Sequence, residues 1–155
     1  MLIESTTDRI EKQILLRAPR VRVWKALTDA EEFGAWFGWK VEGEFREGAT
    51  LRGQITHKGF EHVNLEITIE QLKPQSLFSY RWHPHAVEPN VDYSGEPTTR
   101  VAFELQERSD GTLLTVTETG FDHIPVSRRA KAYRSNGEGW AIQLENVEKY
   151  LAQKS

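Results

Sequence analysis

The chain of 155 residues and 17.9 kDa has the length of one domain and can bury a core without disulfide or metal staples. A hydrophobic share of 38% with 28% charged residues excludes a disordered chain, and a net charge of −3 with a pI near 6.0 gives no field for gripping a phosphate backbone. With no cysteine, disulfides, thiolate zinc sites and a cysteine nucleophile are excluded, which fits a reducing cytoplasm.

The N-terminal wording MLIESTTDRIEK has neither the basic start nor the apolar run of a signal peptide. No stretch approaches the ~18 apolar residues of a membrane helix. The expectation is a cytoplasmic protein without nucleic-acid or membrane partners. Residues 9–17 alternate, with Ile10, Ile14 and Leu16 on one face, and predict a first strand. Ala18-Pro19 ends it. Residues 20–27 then read as a short helix. A second short helix starts at Asp29, a good N-cap, carries Phe33, Trp36 and Phe37 at helical spacing, and stops at Gly38.

From about 40 to 119 the pattern is strand. Leu51, Gly53 and Ile55 alternate with polar residues, as do Val63, Leu65, Ile67 and Ile69. Three more sets follow: Phe78, Tyr80 and Trp82; Val101, Phe103 and Leu105; Leu114, Val116 and Glu118. Turn signals at Glu47-Gly48, Lys58-Gly59, Lys73-Pro74 and Asp110-Gly111 separate them, so consecutive strands pair antiparallel. Residues 83–97 hold Pro84, Pro89 and Pro97 and no period, and predict a long mobile loop. The segment 127–152 carries Tyr133, Gly137, Trp140, Leu144, Val147 and Leu151 on one helical stripe, with Gln143, Asn146 and Lys149 off it. This predicts one long helix; Ser135 and Glu138 match a capping box, and Gly137 and Gly139 weaken the helix, so a restart near 135 is the alternative. The fold class is α+β: a curved antiparallel sheet of about seven strands around a long C-terminal helix, with two short helices after strand one.

Four pieces carry a family resemblance: APRVRVWKALTDAEEFGAWFG at 18–38, FSYRW at 78–82, TLLTVTETGF at 112–121 and GWAIQLENVEKYL at 139–151. In this order they resemble the Bet v 1-like helix-grip superfamily (START-like, or SRPBCC). Within it the chain is similar to the branch named for the activator of heat-shock-protein-90 ATPase homologue. The resemblance implies one helix-grip domain over 1–155. It also implies a cavity between sheet and long helix that takes a small hydrophobic ligand such as a lipid, sterol or polyketide. Some relatives cyclise or dehydrate polyketides. The eukaryotic namesake stimulates a chaperone ATPase with the help of an additional domain, so a chaperone contact is a third expectation. It names no cofactor, and the chain is expected to be a monomer or homodimer.

On that fold, Trp36, Trp39, Trp82, Phe121, Tyr133 and Trp140 are candidate pocket walls, and Gly53 is expected to face the same space. Glu118 continues the Leu114–Val116 face and so points inward. It either anchors a ligand hydroxyl or acts as an acid, or it reaches solvent at the strand end or pairs with Arg81. His83, His85 and Glu88, with His57, His62 and His123 as further donors, are weighed as a metal site and set aside for want of a thiolate or HExxH spacing. No GxSxG, Walker A or GxGxxG motif is present. Arg128, Arg129, Lys131 and Arg134 form a basic cluster, either a solvated face or an attractor for anionic ligand heads.

Overall fold

Short turns between consecutive strands leave each strand its sequence neighbour to pair with. The computed structural model describes residues 8–153. Their elements are β1 (Arg9–Leu16), α1 (Arg20–Thr28), α2 (Ala30–Phe37), β2 (Trp39–Val41), β3 (Thr50–Ile55), β4 (Asn64–Lys73), β5 (Leu77–Trp82), β6 (Thr99–Arg108), β7 (Gly111–Thr119), a 3-10 turn at Phe121–His123, and α3 (Val126–Gln153). Among the described residues seven strands form one curved antiparallel sheet in the order β1-β7-β6-β5-β4-β3-β2. Strands β2 to β7 are a meander, and β1 returns to pair with β7 from Arg9↔Thr119 to Leu16↔Thr112.

The two short helices form where the sequence marks them. The Asp29 side chain accepts the Glu32 amide at 3.0 Å and caps α2. Gly38 closes α2 in the left-handed region at φ 90°, and a side chain there would strike the His57 ring. The Trp36 indole N–H donates to the Ala26 carbonyl at 2.8 Å, locking α2 onto α1. β2 has no alternating run of its own. It forms because α2 delivers Trp39–Val41 directly to the edge of β3.

The long helix covers the expected 127–152 and does not restart at Ser135: it runs unbroken for 28 residues, about 42 Å. Ala132 lies before the two glycines and Trp140, Leu144, Val147 and Leu151 after them, all buried in one core. Packing on both sides outweighs the local cost of two mid-helix glycines.

Aromatic rings fill the space between sheet and helices. Phe33 is surrounded by Trp36, Phe37, Phe45, Phe78 and Phe103 at centroid separations of 4.8 to 6.5 Å. Phe78 stacks on its cross-strand partner Phe103 at 5.7 Å. Truncating this hub removes a large buried ring and leaves a cavity, so Phe33→Ala is expected to cost about 3–5 kcal/mol in urea unfolding. Phe60→Ala, at a side chain 44% exposed, should cost less than about 1 kcal/mol. Equal losses at the two positions would contradict this placement of the core.

Candidate functional site

Strand alternation puts Tyr80, Val101 and Glu118 in one cross-strand row on the inner face, with Trp82 paired to Thr99 one step further along. Glu118 is fully buried. The Trp140 indole N–H donates to its Oε1 at 2.8 Å, and the Asn136 amide reaches both oxygens at 3.0 and 3.1 Å. The Trp82 indole N–H and the Thr99 hydroxyl donate to Oε2 at 2.8 and 2.6 Å. Trp82, Trp140 and the Asn136 NH2 group can only donate, which is the environment of an ionised carboxylate. No lysine or arginine pairs with it among the described residues. Burial pushes its pKa above the ordinary carboxylate value, and the donors pull it part of the way back. The solvated and Arg81-paired readings of Glu118 are therefore corrected. Arg81 lies on the outer face and pairs with Glu70 at 3.1 Å, beside Arg100 at 2.7 Å.

In front of this buried anion lies a cavity of about 590 Å³. Its floor is Phe37, Trp82 and Trp140. The two indoles stack at 5.7 Å, and Phe37 stands 6.1 and 6.2 Å from them. Asn136 and Gln143 of α3 supply amides, and the Gln143 side chain donates to the Phe37 carbonyl at 2.8 Å. The turn between β3 and β4 forms one wall. The segment 83–97 forms the opposite wall and roof as an irregular strap, with exposed Phe60 and Val91 at the rim.

Arg128, from the first turn of α3, clasps that strap. Its guanidinium meets Glu96 at 2.7 Å, donates to the Pro84 carbonyl at 2.8 Å, and lies 4.7 Å from the centre of the Tyr93 ring. The His62 ring N–H donates to the Val87 carbonyl at 2.7 Å, and that of His83 to the Glu96 carbonyl at 3.0 Å. Burial, with the nearby Lys131 and Arg128 charges, holds the His85 pKa below its ordinary value.

Residues 17–152 match the model of a family described as Activator of Hsp90 ATPase homolog 1-like protein. The chain belongs to that family. Solved structures give the same fold at low identity. Protein MLL2253 of Mesorhizobium loti is 20% identical, with a TM-score of 0.75 over 95% of this chain and 98% of that one. DynU16, from the dynemicin biosynthetic locus, is 22% identical with a TM-score of 0.73, over 96% of this chain but 48% of its own. The Aha1 dimer of Colwellia psychrerythraea is 17% identical with a TM-score of 0.67, over 90% and 92%. Ribosome maturation factor RimM of Staphylococcus aureus (strain MRSA252) is 31% identical over 90 residues. The chain spans about half the length of this curated relative, 54%, and the match covers 54% of the chain, too little to show a shared family.

In this Activator of Hsp90 ATPase homolog 1-like chain, two of the seven sequence-predicted site residues, Trp82 and Trp140, line the cavity. Glu118 stands behind them. Trp36 and Trp39 are packed in the core around Phe33, and Phe121 is buried edge-on against Tyr133 at 5.4 Å. Tyr133 donates to the Arg9 carbonyl at 3.0 Å on the β1 side of α3. Gly53 does not face the cavity: it abuts the Lys40 carbonyl and Trp39, so a larger residue there would break the β2–β3 pairing. Sequence reasoning missed Asn136, Gly139 and the place of Phe37 in the cavity lining. The signal for Asn136 was its place one turn before Trp140 on the helix facing Glu118. No three His, Asp or Glu side chains converge as a metal site among the described residues. No helix of the described residues is long and apolar enough to cross a membrane.

Two outcomes follow from this geometry. Glu118→Gln places an NH2 group against side chains that already donate, so it should lower stability by about 2–3 kcal/mol. The raised folded pKa of Glu118 means its stabilising contribution is full below the unfolded value near 4.5 and is lost as pH rises through the folded value. The stability gap between wild type and Glu118→Gln, followed by urea unfolding, should therefore narrow from pH 4 upward. A gap that widens would show that the carboxylate is better stabilised than burial allows. Arg128→Ala should raise amide exchange across 84–97 while leaving that of β4 unchanged, and equal protection with and without Arg128 would remove its role as a clasp.

Proposed function

We propose that this chain binds a small amphipathic molecule carrying a flat ring system in the cavity beneath the 83–97 strap. The observation that carries the reading is the cavity itself. Its volume of about 590 Å³ is that of a small-molecule site, and its floor is an aromatic trio flanked by two amide side chains. A ring favours packing on the part-exposed Trp82, which Trp140 backs, and Asn136 and Gln143 offer polar partners that fix orientation. Family membership and the likeness of fold to DynU16 support a binding domain of this type.

The interior between sheet and helix, where a long acyl chain would need a tunnel, is filled by Phe33, Phe45, Phe78 and Phe103. This favours a compact ring-bearing ligand over a fatty acid. Glu118 is not a surface of the cavity and its lone pairs are engaged, so the reading gives it a positioning role for the two indoles and not acid–base chemistry. A chaperone-accessory role rests on the family name, and the cavity lends it no support.

Gly139 lies on the cavity wall, and a side chain built there meets no atom within 4 Å. Gly139→Leu should therefore fill the cavity and, by removing a mid-helix glycine, leave thermal stability equal or higher. Titration with a polycyclic aromatic probe should quench tryptophan fluorescence saturably in the wild type and lose at least about tenfold in affinity in the variant. Absence of saturable binding, or binding unchanged by Gly139→Leu, overturns the proposal.

A further inference from the structure

Three features of the cavity concern charge. The first is its lining: Glu66, Glu88 and Asp92 contribute carboxylates, and no lysine or arginine lines it. Glu66 is paired with Arg52 at 2.7 Å on the outer side of the sheet, whereas Glu88 and Asp92 are exposed on the strap and form no ion pair with Lys or Arg among the described residues. The second is Glu118, a buried carboxylate held by four neutral donors and no cation. Its field is not cancelled at its source, and low-dielectric surroundings screen it weakly. The third is the link between that anion and the floor: the Trp82 indole, whose N–H holds Glu118, is the part-exposed ring of the floor, and Trp140, the second indole donor, is stacked against it and only 2% exposed. A carboxylate at the N–H edge of an indole enriches the π face in electron density, and an indole face is already the best aromatic partner for a cation.

The basic groups nearby do not reverse this sign. The Arg128 charge is directed at Glu96 and the Tyr93 ring, and Lys131 acts on His85 from outside the lining. The basic cluster at the start of α3 is thus spent in part on closing the strap and does not form the floor of an anion site.

Resting on the binding reading above, we infer that the cavity selects a cationic ligand: an amine or quaternary ammonium carried on an aromatic or polycyclic frame, its charge against the part-exposed Trp82 ring and its periphery toward Glu88 and Asp92. An anionic ligand of the same shape meets the field of Glu118 and two rim carboxylates with no lysine or arginine to receive it, the basic side chains of the lining being the imidazoles of His57, His62, His83 and His85.

A matched series on one ring system tests this: (9-anthracenylmethyl)trimethylammonium, 9-anthracenemethanol and anthracene-9-carboxylate, titrated at 20 and 150 mM salt by tryptophan quenching and calorimetry. The ammonium should bind at least about tenfold tighter than the alcohol, with the carboxylate weakest. In Glu88→Gln/Asp92→Asn that preference should fall severalfold while the alcohol binds as before. In Glu118→Gln it should fall again. Should Glu118→Gln fail to fold, the rim variant decides alone. Carboxylate binding as tight as ammonium binding, with the alcohol still bound, overturns the charge inference and leaves the binding reading standing. An ammonium preference undiminished in the folded variants overturns its assignment to these carboxylates. Binding of none of the three overturns both.

Discussion

A buried carboxylate with no cation beside it is the constraint around which this molecule is arranged. Isolated in an apolar interior, such a group costs far more than any single contact returns. It persists here because four donors from three elements converge on it: Trp82 from β5, Thr99 from β6, and Asn136 and Trp140 from α3. Each donor is fixed in orientation by this demand. The sheet and the long helix are consequently joined by a cluster of directional bonds at this point, beside the Tyr133 hydroxyl bond to the Arg9 carbonyl of β1 and the apolar packing along α3. The unbroken course of α3 past two glycines follows from the same point, since Asn136 and Trp140 flank those positions and both must reach Glu118.

That junction divides the interior into two regions. Toward α1 and α2, rings pack around the buried Phe33. On the other side, Trp82 and Trp140 are turned so that their N–H edges face the carboxylate; Trp140 is itself buried against Phe37, Phe103 and Trp82, and part of the Trp82 ring stays uncovered by the core. The cavity is the complement of this turn. Its roof is not core at all but an irregular strap held by polar clasps, Arg128 foremost.

The antiparallel meander, both short helices and the extent of α3 were legible in the sequence, because alternation, an Asp29 cap, a Gly38 stop and a helical stripe are local signals; the pairing of β1 with β7, between strands distant in sequence, was not. The edge strand β2 was not, since three residues carry no period and their conformation is imposed by α2 and β3. The direction of Glu118 was legible from strand alternation, but its fate was not. Whether an inward carboxylate is solvated, paired or caged depends on donors from β5, β6 and α3 that are distant in sequence. Trp36 and Trp39 show the converse limit. Their size marked them as candidates for a pocket wall, yet size alone does not distinguish a ring that lines space from one that fills it. A hydrogen bond to the Ala26 carbonyl settles Trp36 as part of the helix–helix joint.

The proposed binding site is therefore built of two halves with different mechanics. On the floor, neither indole can rotate without withdrawing a donor from a buried anion, so the stacking surface is preorganised and little ordering entropy remains to be lost when a ring settles on it. Over the roof, His62 and His83 each hold the strap through one polar contact, and Arg128 through several, to Glu96, the Pro84 carbonyl and the Tyr93 ring. Affinity and ligand class then belong to the floor, whose geometry is tied to the stability of the whole fold. Rates of entry and release belong to the strap, which can open without disturbing the core. Substitutions in the strap should consequently alter kinetics at nearly constant stability, whereas any change that disturbs the Glu118 cage must alter stability and binding together.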